Sequence, residues 1–270
     1  MTDDGDGTVA RCDDGHTIAF DDRGDGTPLL LVHGFPHDRG LWAPQLRTLP
    51  GRARCIAPDL RGFGGSGRAG PYSMDRHADD LACLLDHLQV ERAVVCGLSM
   101  GGYVGFAFWR RHADRVRALV LCDTKAGADS DEARAKRREM IEVARTEGAA
   151  GVADRMMEGM IGRTTRRTRP EVEREMRRMI ERAPVEGIVG ALEAMMARPD
   201  STADLPTITV PTLVVVGDED ALTPPAEARR MHEAIAGSRI AVLEGAGHAS
   251  NLERPSAFDH VVAEFVEQLG

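Results

Sequence analysis

Four short, uninterrupted apolar runs stand out along the chain, at residues 28–33, 93–98, 116–122 and 212–217. They lack the polar alternation of a half-exposed strand and end in turn-forming residues, which predicts parallel strands buried on both faces. Weaker strand patterns lie at 16–21, 54–58 and 239–243. Between them apolar residues recur at helical spacing. Ala78, Leu81, Leu84, Leu85 and Leu88 share one face of 74–88, and Phe258, Val261, Val262, Phe265, Val266 and Leu269 share one face of 257–269. Strand and helix alternate, so the predicted class is α/β with a mostly parallel sheet flanked by helices.

The alternation stops at Thr124 and resumes after about Asp204. The intervening stretch is rich in arginine, glutamate, alanine and methionine at helical spacing, and eight of the twelve methionines fall in it. Met176, Met179, Ile180 and Ala183 form one stripe, and Ile188, Leu192, Met195 and Met196 form another, which predicts two to four helices. Residues 124–204 are therefore expected to form a helical lid inserted into a core made of 1–123 and 205–270. The methionine stripes suit helix-on-helix packing, with Met156 and Met160 as candidates for a wall that touches substrate. The basic run 163–169 is expected to be a solvated loop between helices.

At 270 residues, 42% hydrophobic and 29% charged, the chain can bury a large core, which excludes a disordered protein. The lid holds 16 basic and 16 acidic residues, so the formal charge of -9 resides in the sheet domain. That balance disfavours nucleic acid and anionic membrane surfaces as partners. Met1 to Gly7 reads as acidic and flexible, and nowhere do 18 apolar residues run together, so neither secretion nor membrane spanning is expected. Five cysteines, Cys12, Cys55, Cys83, Cys96 and Cys122, are scattered without metal-type or redox-type spacing, which predicts reduced thiols and a cytoplasmic location. Lys125 and Lys136 are the only lysines, a bias read as compositional.

Chemistry enters at Gly97-Leu98-Ser99-Met100-Gly101, directly after a buried strand and before a helix rich in small residues. Small residues two positions either side of Ser99 permit a strained turn that projects its hydroxyl out of the sheet, as in a nucleophile elbow. The Met100 N–H is then left unpaired at a helix start, where a developing oxyanion is stabilised. A second donor should come from the loop after a neighbouring strand, and His33-Gly34-Phe35-Pro36 offers the Phe35 N–H. His33 itself ends the strand and reads as a structural, hydrogen-bonded histidine.

Serine needs a base to take its proton, and imidazole suits that task near neutrality. Of nine histidines, His248 in Glu244-Gly245-Ala246-Gly247-His248 follows a short strand on a glycine-rich loop. His37, His77, His87, His112, His232 and His260 lie on predicted helices or a polar loop and are expected to face solvent. A carboxylate must orient the imidazole. Asp220 in Gly217-Asp218-Glu219-Asp220 is the candidate, with Asp218 as a turn residue and Asp123, after the 116–122 strand, as the rival.

The order Ser99, Asp220, His248 and five ordered motifs, including Asp59-Leu60-Arg61-Gly62-Phe63-Gly64-Gly65-Ser66, resemble a lidded α/β-hydrolase. Gly-Leu-Ser-Met-Gly-Gly and Asp-Ala-Leu-Thr-Pro-Pro are similar to the wording of 3-oxoadipate enol-lactonases and related small-ester or lactone hydrolases. The resemblance implies a carboxylic-ester hydrolase working through an acyl-enzyme on a small-molecule ester or lactone, with no cofactor and no metal. It leaves the oligomeric state open. Relatives with an aspartate nucleophile, the haloalkane dehalogenases and epoxide hydrolases, disagree with Ser99. Carbon-carbon bond hydrolysis, peracid formation, or ligand reception without turnover remain alternatives on the same triad. Few aromatics are available to stack on a large planar substrate. Phe35, Trp42, Phe106 and Trp109 flank the nucleophile, with Trp42 the candidate substrate contact, and a modest aliphatic acyl or lactone pocket is expected.

Overall fold

The structure, a computed structural model, describes residues 8–270; the opening segment 1–7 lies outside the described residues. Eight strands form one sheet: β1 (Thr8–Arg11), β2 (Thr17–Arg23), β3 (Pro28–Val32), β4 (Arg54–Pro58), β5 (Ala93–Leu98), β6 (Val116–Cys122), β7 (Thr212–Gly217) and β8 (Arg239–Leu243). Their order is β1-β2-β4-β3-β5-β6-β7-β8. β1 and β2 join antiparallel, as do β2 and β4, whereas every pair from β4 to β8 is parallel. β5 and β7 are buried along their whole length, which explains why they read as unbroken apolar runs. β1 escaped sequence reading because it is four residues long at the sheet edge with one buried side chain, Ala10.

Helices α1 (Gln45–Thr48), α2 (Met74–His87) and α3 (Met100–His112) precede the break in alternation. α2 starts where the Ser73 hydroxyl accepts the Arg76 N–H, with Asp75 in the first turn complementing the helix dipole. Between β6 and β7 the chain forms α4 (Asp131–Met160), α5 (Arg163–Thr168), α6 (Pro170–Glu181) and α7 (Val185–Ala197). α4 is interrupted at Gly148, whose φ of 70° breaks the helical ladder. The run expected as a solvated loop at 163–169 is instead mostly helix α5, with Thr165 buried. α8 (Pro225–Ala234), α9 (Ser250–Glu253) and α10 (Pro255–Glu267) complete the chain; α8 and α10 each begin with proline in the first turn. Among the described residues no helix is long and apolar enough to cross a membrane.

Two sequence expectations need correction. Cys12 and Cys83 form a disulfide across 71 positions, between the end of β1 and α2, leaving Cys55, Cys96 and Cys122 as free, buried thiols. Local cysteine spacing carries no information about such a long-range approach, with Cα atoms 5.8 Å apart. His37 and His77 do not face solvent. Both are buried, neither ring has a hydrogen-bond partner among the described residues, and burial pushes the pKa of both down to about 3. His87 and His260 are exposed as expected.

Candidate active site

β5 runs into α3 through Ser99, whose φ of 54° and ψ of −113° are strained for a residue with a side chain. The turn tolerates no bulk beside it. A Cβ at Gly97 would lie 2.2 Å from the Gly101 carbonyl oxygen, and one at Gly101 would lie 2.2 Å from that of Val32. These two glycines therefore let α3 sit directly against β5 and β3. Ser99 N–H donates to the Cys122 carbonyl at 2.9 Å, and the Thr124 hydroxyl donates to the Ser99 carbonyl at 2.8 Å. The elbow is thus pinned to β6 and the residues just beyond it.

Because the parallel strands share a direction, the loops after β3, β5, β6, β7 and β8 converge on one edge of the sheet. There Ser99, His248 and Asp220 form a continuous hydrogen-bonded chain. Ser99 Oγ lies 2.8 Å from His248 Nε2, and His248 Nδ1 lies 2.9 Å from Asp220 Oδ2. Asp220 also accepts the Leu222 and Thr223 N–H groups at 2.8 and 2.9 Å and the Thr223 hydroxyl at 2.7 Å. Burial alone would raise the Asp220 pKa, but His248 and these donors outweigh it and hold the carboxyl below its usual range. Burial likewise opposes charge on His248, yet Asp220 prevails and raises the imidazole above its ordinary value. Asp123 occupies a different role. Its oxygens accept from Gly217 N–H at 2.9 Å and pair with Ser250 Oγ at 2.5 Å, and burial followed by repulsion from Asp220 pushes it up to about 8.

Ser99 and His248 open onto a cavity of about 490 Å³ walled by Phe35 and Tyr103 and by residues from α4 and α7. Phe35 follows Gly34, where an added Cβ would lie 3.1 Å from the Leu98 carbonyl oxygen and 3.2 Å from Ser99 Cβ. The loop after β3 is therefore packed directly over the serine turn. Met100 is the first residue of α3, so its N–H has no intrahelical acceptor.

The alpha/beta hydrolase fold pattern matches residues 27–255 of this chain. The chain belongs to that family. It is a hydrolase, and it is similar to a thermophilic esterase from Thermogutta terrifontis, solved with malate bound, at 42% identity and a TM-score of 0.94, covering 98% of this chain and 99% of that one. An enol-lactonase from Burkholderia xenovorans superposes with a TM-score of 0.88 at 34% identity, covering 96% of this chain and 99% of that one. A 3-oxoadipate enol-lactonase from Acinetobacter baylyi is 29% identical over 239 residues, 88% of each chain. The expectation of a carboxylic-ester hydrolase agrees with the names these relatives carry.

Within this hydrolase, Met156 and Met160 line the cavity that holds Ser99 and His248, as does Phe35. Trp42 does not. It closes the short 3-10 helix Arg39–Trp42, whose Leu41 and Trp42 pack inward, and it is fully buried against Phe258 with ring centroids 5.9 Å apart. Phe106 is buried as well, and Trp109 turns away to donate to Thr207 Oγ1 at 3.1 Å. His33 is structural: its Nε2 accepts the Leu60 N–H at 2.9 Å. Asp218 serves the turn, accepting the Gly245 N–H at 2.7 Å. Sequence reading missed Tyr103, Thr223 and Lys125 at the site. Thr223 was within reach of it, since it stands in the Asp-Ala-Leu-Thr-Pro-Pro run that holds the acid loop. A larger cavity of about 620 Å³ lies beside His37 and Arg39, and Ser99 does not line it. Among the described residues no cluster of three His, Cys, Asp or Glu side chains is placed to hold a metal ion.

Proposed function

We propose that this hydrolase cleaves carboxylic esters or lactones through an acyl-enzyme on Ser99. The observation that carries the reading is the unbroken chain from Ser99 Oγ through His248 to Asp220, opening onto a cavity under the lid helices. Ser99 Oγ attacks the acyl carbon while its proton passes to His248 Nε2. The N–H groups of Phe35 and Met100 hold the resulting oxyanion. Collapse breaks the carbon–oxygen bond to the alcohol, which leaves with the proton from His248. Water then attacks the acyl-enzyme with His248 again as base, releasing the acid and restoring Ser99. Asp220 keeps the imidazole in the productive tautomer and stabilises its charged form.

In this reading residues 1–123 and 205–270 form the catalytic core, and 124–204 form a lid that excludes water and shapes the acyl pocket. The relatives' names, esterase and enol-lactonase, support an ester or lactone as the bond cleaved. Replacing Ser99 by alanine should lower kcat for p-nitrophenyl butyrate by on the order of a million-fold, as in other serine triads, with an unchanged circular dichroism spectrum. A folded Ser99→Ala protein that keeps a tenth of the wild-type rate contradicts the proposal.

A further inference from the structure

The cavity beside Ser99 has a charge balance opposite to that of the molecule. The chain carries -9 overall, yet Lys125, Lys136, Arg137 and Arg155 all reach this cavity against one carboxylate, Asp129. Three of those cations are already engaged. Arg137 bonds Asp129 at 2.5 Å, Lys136 pairs with Glu132 at 2.7 Å, and Arg155 meets both oxygens of Glu147 at 2.8 Å. Asp129 is itself claimed twice, because the buried Arg198 reaches it at 2.8 Å. Lys125 stands apart: among the described residues its ammonium has neither an ion pair nor a hydrogen bond, although the residue is half-buried in the cavity wall. Both lysines of the chain therefore lie on the Ser99 cavity, a placement that composition alone could not reveal.

The root of Lys125 is fixed relative to the nucleophile. Its neighbour Thr124 donates to the Ser99 carbonyl at 2.8 Å, and the Asp123 N–H donates to the Val215 carbonyl at 2.9 Å. A flexible stem on a fixed root sets the ammonium that lacks a partner among the described residues beside the apolar part of the wall, which includes Met156, Met160 and Leu222. Among the described residues that ammonium has no carboxylate partner, so it is free to pair with an anion that enters the cavity. One ammonium matches one negative charge, which favours a monoanionic carboxylate, and the apolar walls suit a methylene spacer between that carboxylate and the scissile ester.

We propose that Lys125 is a specificity-determining residue that receives a carboxylate carried by the substrate, so that ester or lactone monoanions are preferred over neutral esters of equal length. This inference rests on the ester-hydrolysis reading of the Ser99 cavity. The test compares kcat/KM for monomethyl glutarate and methyl valerate, followed by proton release, in the wild-type protein, Lys125→Met and Lys125→Arg. A charge-assisted contact should favour the glutarate ester in the wild type by about ten- to a hundredfold. Lys125→Met should bring that ratio close to one, Lys125→Arg should keep most of it, and added salt should lower it only where the cation is present. A wild-type ratio of one or below overturns the proposal. So does a Lys125→Met variant that loses both activities in equal proportion, which is what a merely structural lysine would do. If neither ester is turned over, the hydrolytic reading fails separately, and calorimetric titration with glutarate still decides the matter. Binding weakened at least about tenfold by Lys125→Met supports the carboxylate site, and equal affinities overturn it.

Discussion

Asp220 and Asp123 differ in one respect that decides their chemistry: the partner each carboxylate faces. Asp220 faces the His248 ring and is held anionic, whereas Asp123 faces Ser250 and the Gly217 amide in a buried site that favours its neutral form. Asp220→Asn should therefore cost about ten-thousand-fold in ester turnover, by analogy with other serine triads. Asp123→Asn should cost far less, since an amide can accept from Gly217 and donate to Ser250. The pH profile separates the two further. Only neutral His248 can act as base, so kcat/KM should rise with pH through the raised His248 value, with its midpoint above the ordinary histidine value of 6.5. Losing the carboxylate at position 220 should move that midpoint down, and an unmoved midpoint would contradict the assignment of Asp220 as partner. The choice between these two acids was legible only from loop wording, because both follow apolar strands. Ser99 and His248 were more visible, each marked by glycines that a crowded turn requires. Trp42 was misjudged because proximity in sequence to the loop after β3 says nothing about which way a side chain turns.

At the scale of elements, the weaker strand patterns at 54–58 and 239–243 were placed as closely as the continuous apolar runs, although β8 is half-exposed. β5, β6 and β7 have the boundaries their hydrophobicity predicts, while β3 stops one residue early, at Val32. The stretch between β6 and β7 was legible as helix from 3.6-residue spacing, but its helix boundaries were not. α5 is built from the basic run itself, with no apolar stripe, and it is held from outside: Glu219 accepts from the Thr164 N–H and hydroxyl, and Glu253 accepts from the Gly162 N–H. Those two acids lie beside Asp220 and His248 in sequence, so α5 is tied to the edge of the sheet where those two side chains meet Ser99. Met160, at the end of α4, lines the cavity and is buried, so shortening it should enlarge the acyl pocket as well as weaken packing. Met160→Ala should shift relative kcat/KM between acetate and octanoate esters within the roughly 10- to 200-fold range that one or a few methylenes are worth. A lowered melting temperature with an unchanged chain-length profile would assign Met160 to packing alone.

For the molecule as a whole, one sheet supplies the framework, and loops after its parallel strands bring Ser99, Asp220 and His248 together at its carboxyl edge. The Cys12–Cys83 bond ties β1, the outermost strand at the opposite flank from β8, to α2. Denatured protein prepared without reductant should accordingly titrate as three thiols per chain, those of Cys55, Cys96 and Cys122. Five would contradict the bridge. No reading of cysteine spacing could have anticipated it, since the pairing depends on how the first strand adds to the sheet. The central claim is that Ser99 forms a covalent intermediate activated by His248. It is tested most directly by treating the native protein with a p-nitrophenyl phosphonate ester and locating the adduct by peptide mass spectrometry. The account predicts one phosphonyl group per chain on Ser99, loss of ester turnover in step with labelling, and no adduct in His248→Ala over the same interval. Full labelling at another residue, or undiminished turnover after Ser99 is modified, would contradict it.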